Sequence, residues 1–97
     1  MATLYTPDGR VREIRPSGSH WTEEELQELV GGYFEVVSTI DCRYMVINDA
    51  GKMTNPPLDL NIPATRLYIH GRKDVILGPA VVVDTKLELD GAEEDED

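Results

Sequence analysis

The sequence has one cysteine, Cys42, and two histidines, His20 and His70. A lone thiol closes no intramolecular disulfide, and singly scattered His and Cys do not give the paired ligands that a zinc-type site needs. No metal and no cofactor are therefore expected. No apolar run approaches the ~20 residues that cross a bilayer, and the opening "MATLYTPDGR" has no apolar stretch of the kind a secretory leader carries. These absences predict a cytoplasmic protein without a membrane partner. Basic charge is scarce too: 9 Lys and Arg stand against 19 Asp and Glu, for a formal charge of −10. With no Lys/Arg cluster, direct binding to nucleic acid is disfavoured.

The acidity is uneven. Residues 90–97, "DGAEEDED", hold six acidic side chains and no basic one, whereas residues 1–89 hold 13 acidic and 9 basic. The tail reads as a disordered acidic segment that cannot pack. Residues 1–89 read as a single α+β domain, since a chain of 97 residues is too short for two independent cores.

Within the domain, "ATLYTPDGRVREIRP" has the form of a hairpin turning at Pro7-Asp8-Gly9. The helix signal is stronger. Thr22 and Glu25 make a capping box, and Trp21 and Leu26 have the spacing of a hydrophobic staple. Leu26, Leu29 and Val30 then share one face, with Glu24 and Glu28 almost opposite, one turn apart. That acidic face is either solvated or kept for a basic partner. Gly31-Gly32 ends the helix by giving the left-handed residue that a C-terminus uses to satisfy its last carbonyls.

"YFEVVSTI" follows as a strand with Phe34, Val36 and Ile40 expected on the helix side and Tyr33, Glu35, Val37 and Thr39 on the other. Glu35 is expected to be exposed or to pair with an Arg such as Arg43 or Arg66. "RYMVIND" pairs with this strand. Pro56, Pro57 and Pro63 then make a long loop with one helical turn at 62–67, and Ala80–Val83 closes the fold as a buried strand. The whole predicts one short helix packed on a small mixed β-sheet, roughly β-grasp-like.

Few residues have the arrangement of reactive chemistry. "GKMT" at 51–54 imitates the end of a phosphate loop, but Val46 stands where the leading glycine would be. Cys42 and His70 are single residues with no triad pattern, so no catalytic residue is assigned and the protein is read as not an enzyme. A ligand site would gather Glu35, Lys52, Asn61 and Arg66 beside the long loop, with Lys52 and Arg66 meeting an anionic, nucleotide-like ligand. Otherwise Asn61 caps the short helix, Asn48 serves a turn, Asp74 caps or meets an Arg, and Lys52 is a rim charge.

Four blocks, "LQELVGGYFEVV", "INDAGKM", "LDLNIPAT" and "DVILGPAVVV", resemble in order and spacing the domain-of-unknown-function family 3846 of phage and bacterial proteins. Val30, Gly31, Gly32, Tyr33, Glu35, Asn48, Gly51, Lys52, Asn61, Ala64, Asp74, Ile76 and Gly78 fall on its pattern over residues 25–83. The departures, Asp49 and the "MTNPPLD" approach to Asn61, lie around the loop. The resemblance implies a mobile-element accessory protein and supplies no reaction. Together with the acidic helix face it leads to an expected non-enzymatic binding module with an anti-defence role within its range. Its partner would be a basic host protein meeting Glu24 and Glu28, and the Tyr-rich strand face could instead serve a homodimer. The alternative expectation is binding of a small nucleotide-like ligand.

Overall fold

In the computed structural model, which describes residues 2–89, helix α1 (Glu23–Val30) starts at the capping box. The Thr22 hydroxyl accepts from the Glu25 amide at 3.1 Å, and the Glu25 carboxylate accepts from the Thr22 amide at 3.0 Å. The same carboxylate takes the Ser17 amide at 2.9 Å, which ties the preceding segment to the helix start. These bonds favour the charged form, the Thr22 amide first, and hold Glu25 at about 2 against an ordinary 4.5. The predicted acidic tail lies outside the described residues.

The other end of α1 depends on two glycines and one asparagine. Gly31 is left-handed, with φ 86°, and the amides of Gly31 and Gly32 both donate to the Gln27 carbonyl, at 2.8 and 3.0 Å. Asn48 donates its side-chain amide to the Val30 carbonyl at 3.1 Å and accepts the Ala50 amide at 2.7 Å. One side chain thus satisfies the helix end and shapes the turn after a strand. A Cβ at Gly32 would stand 3.2 Å from the Asn48 amide nitrogen, so the second glycine gives this bridge its room.

Five strands, β1 (Ala2–Tyr5), β2 (Val11–Ile14), β3 (Phe34–Ser38), β4 (Tyr44–Asn48) and β5 (Ala80–Val83), form one sheet in the order β2-β1-β5-β4-β3. Every pairing is antiparallel. This corrects the expected mixed sheet, and the β-grasp likeness is not confirmed. Two hairpins are closed by local turns, and β5 runs opposite to both of its neighbours, so no parallel crossover is needed.

Strand β5 is buried along its whole length, because its side chains alternate between two covered faces. Val81 and Val83 join Ala2, Leu4 and Val46 beneath Trp21, Leu26, Val30 and Leu89. Ala80 and Val82 join Met45 and Ile47 beneath Ala64 and Ile76. Ala64 belongs to helix α2 (Ile62–Leu67), the helical turn anticipated inside the long loop. The structure is therefore a sheet covered on both sides, where the sequence predicts one helix on one side.

Trp21 and Leu26 meet in the first of these clusters, as the staple spacing predicts. The Trp21 amide donates to the Glu88 carbonyl at 3.0 Å, which fastens a 3-10 turn at Lys86–Leu89 beneath α1. The indole is 3% exposed, and its N–H has no hydrogen-bond partner among the described residues. Ile40 departs from expectation. It is 63% exposed, because β3 ends at Ser38 and Thr39 enters the hairpin turn.

Two stability outcomes follow from this packing. Gly31→Ala should cost about 1–2 kcal/mol, the price of a left-handed alanine, read as a lowered urea midpoint. Trp21→Phe should cost much less than Trp21→Ala, for which about 3–5 kcal/mol is expected, because phenylalanine retains most of the apolar bulk and removes an unpartnered N–H. Equal losses for the two variants in thermal melts would contradict this account of the indole.

Candidate functional site

The register of β3 against β4 sets Glu35 opposite Ile47, which places it on the face that α2 covers. The turn after β4 carries Asp49 and Lys52 to the same side, and the segment after α2 brings Asp74. Together with Asn48 and Tyr68 these residues line a hollow of about 190 Å³ over an apolar floor that includes Ile47 and Ile76.

Of the four charged side chains in this hollow, Glu35, Asp49, Lys52 and Asp74, two are engaged with each other. The Lys52 ammonium binds one Asp74 carboxylate oxygen, which also accepts the Val75 amide at 2.8 Å. The lysine bond, followed by the Val75 amide, holds Asp74 below the usual carboxylate range. Both partners are nearly half exposed, so the pair adds little to stability. Glu35 is exposed and makes no ion pair among the described residues.

The four residues expected to converge do not all meet. Glu35 and Lys52 share the hollow. Arg66 stands exposed in the last turn of α2 and lines a separate open depression with Ile40, Ile69 and Arg72. Asn61 is fully buried: its amide nitrogen donates to the Tyr5 carbonyl at 3.0 Å and to the Gly78 carbonyl at 2.8 Å, and its oxygen accepts the Ala64 amide at 3.1 Å. It is the N-cap of α2 and a clamp between β1 and the approach to β5, with both donors and its acceptor engaged.

Of the two expectations for Glu35, exposure holds, and among the described residues it pairs with neither Arg43 nor Arg66. Arg43 lies past the far end of the hairpin, where it binds Asp41 at 2.7 Å. That contact, with the Thr39 hydroxyl second, holds Asp41 at about 2 against an ordinary 3.8. Sequence reasoning leaves Asp49 out of the site and takes Asp74 for a cap or an arginine partner. No local pattern announces the Lys52–Asp74 contact, which spans 22 positions of chain.

On the opposite side of the sheet, Glu24 and Glu28 are exposed on α1 with no basic residue in its last turn. Neither makes an ion pair among the described residues. Cys42 is exposed in the β3–β4 turn, while His70 packs edge-on against Tyr68 at 5.5 Å between ring centroids. Among the described residues no group of three His, Cys, Asp or Glu is placed to hold a metal ion, and no helix is long and apolar enough to cross a membrane.

In comparison with protein families, the sequence profile described as Domain of unknown function (DUF3846) matches residues 2–94. Comparison with curated proteins and with solved structures gives no match.

Asn61→Ala should destabilise by about 3 kcal/mol or more, since it removes a helix cap and strands two carbonyls; Lys52→Met should cost under about 1 kcal/mol. Chemical denaturation separates the two. Glu25 and Asp41 have folded values below their ordinary ones, so the stability they contribute is fully present above those values. It is lost as pH falls from about 4.5 toward about 2. The double variant Glu25→Gln/Asp41→Asn should flatten stability against pH in that window, and a slope equal to wild type would contradict the assignment.

Proposed function

The chain belongs to the DUF3846 family, and from there we propose that it is a non-enzymatic interaction module, an accessory protein of phages or mobile elements that acts on a basic host protein in the cytoplasm. The observation that carries this reading is the exposed pair Glu24 and Glu28, one turn apart on α1 and without an ion-pair partner among the described residues. Like charges at this spacing cost stability. A basic partner converts that cost into attraction and speeds encounter. The carboxylates held in their charged form support the same reading, since Asp8 and Asp41 brace hairpin turns, Glu25 caps a helix and Asp74 pairs with a lysine. Their charged state serves architecture.

A second reading, a small-ligand site, is favoured by Glu35 and Lys52 lining one hollow. Its volume of about 190 Å³ falls below the ~300–1,000 Å³ of ordinary ligand sites. Only one end of a nucleotide-like ligand would be enclosed.

Immobilised wild type and a Glu24→Lys/Glu28→Lys variant, exposed to host lysate at low and high salt, test the first reading. Wild type should retain a basic protein at low salt that high salt or the double variant releases. Retention indifferent to both would overturn it. For the second reading, a nucleotide at a hundred times its dissociation constant should add about 2.7 kcal/mol of stability, and Lys52→Met should abolish that gain; a flat thermal screen removes the reading.

A further inference from the structure

Strand β3 is an outer edge of the sheet, and the hydrogen bonds at its two ends reveal which peptide groups point away from β4. On the inner side Thr39 donates to the Arg43 carbonyl at 3.1 Å, and the Tyr33 carbonyl accepts from Asp49 at 3.0 Å. On the outer side Ile69 donates to the Ser38 carbonyl at 3.1 Å and Ile40 donates to the Leu67 carbonyl at 2.8 Å, around an antiparallel bridge between Thr39 and Tyr68. Peptide groups alternate along a strand. Tyr33, Glu35, Val37 and Thr39 therefore face β4, while Phe34 and Val36 face outward together with Ser38 and Ile40. Among the described residues, no backbone partner meets Phe34 or Val36 on that side.

The place of a sixth strand is thus taken at one end by residues 67–69 and open along Phe34–Val37. Apolar side chains back the open part: Phe34 and Val36 are half-buried against the α1 face and Val37 against the α2 face. The opposite edge, β2, offers no such platform, since Val11, Arg12 and Glu13 are all exposed.

Register and charge decide the occupant. A second copy pairing β3 with β3 about Val36 would set Phe34 opposite Ser38, where residues 67–69 already lie. Moving the axis to Glu35 puts two carboxylates directly opposite, which is repulsive. A further step runs the pairing into Gly32 and the left-handed Gly31. A foreign strand with a cation opposite Glu35 meets none of these obstacles, and that cation would point to the same face as Asp49 and Asp74 in the adjoining hollow. We propose that Phe34–Val37 accepts an extended segment of a partner protein as an added antiparallel strand, with a Lys or Arg of that segment opposite Glu35. This rests on the interaction-module reading but uses the β3 edge of the sheet and not the acidic face of α1.

The probe is a short end-blocked peptide of alternating valine and lysine, compared with its valine–glutamate counterpart and with a version N-methylated along one edge. Fluorescence anisotropy on the full chain should show the lysine peptide binding. N-methylation should weaken it about tenfold or more, as expected for lost backbone hydrogen bonds. Amide exchange at Phe34 and Val36 should be fast in the free protein and slow in the complex, while Glu35 and Val37 are protected in both. Glu35→Lys should reverse the preference toward the glutamate peptide, and Val36→Pro, tolerable where the N–H points outward, should weaken binding. Glu24→Lys/Glu28→Lys should leave this binding in place, which separates the edge from the helix face. Absence of binding, indifference to N-methylation, or unprotected Phe34 and Val36 in the complex would each overturn the proposal, as would protection of those amides by self-association of the free chain.

Discussion

Everything in this domain is arranged around a four-residue strand that cannot tolerate water on either face. Ala80, Val81, Val82 and Val83 are each 1% exposed or less. Alternation sends two of them to each side, so both sides need a cover. On one side α1, Trp21 and Leu89 provide it; on the other, α2 and Ile76 do. A chain of this length has only short elements to offer, and they lie where this strand must be kept dry.

The second cover explains why the proline-bearing segment after β4 is ordered around buried polar bonds. Asn61 fixes it at three points, capping α2 while grasping carbonyls from the end of β1 and the approach to β5. Asn48 does the equivalent work on the first side, joining the end of α1 to the turn after β4. Two asparagines, one per layer, translate the sheet's hydrogen-bonding ends into helix positions. Their amides serve the fold, and the chemistry open to a partner is left to exposed carboxylates and a strand edge.

What was legible in the sequence was local. Thr22 with Glu25, Trp21 with Leu26, Gly31 after Val30, and the prolines around α2 each act through neighbours within a turn or two, so their meaning is visible without the fold. The valine run announced a buried strand for the same reason. Strand order was not legible, because insertion of β5 between β1 and β4 leaves no mark on nearby residues. The candidate site failed at the same boundary. Glu35 and Lys52 were brought together, whereas Asn61 became a clamp through contacts 17 and 56 positions away. The helical turn that carries Arg66 directs it elsewhere, and Ile40 turns outward because its strand ends at Ser38.

The insertion of β5 also imposes an order of events on synthesis. The first strand can zip to β2, and β3 to β4, as soon as each hairpin leaves the ribosome, but the two halves have no common ladder until Ala80–Val83 arrives. Before that strand docks, each ribbon is a two-stranded hairpin of marginal stability with an unmatched inner edge. Ala80–Val83 is therefore the keystone of the sheet: with it in place two ribbons become one five-stranded ladder, and without it neither ribbon has the third strand that independent stability needs.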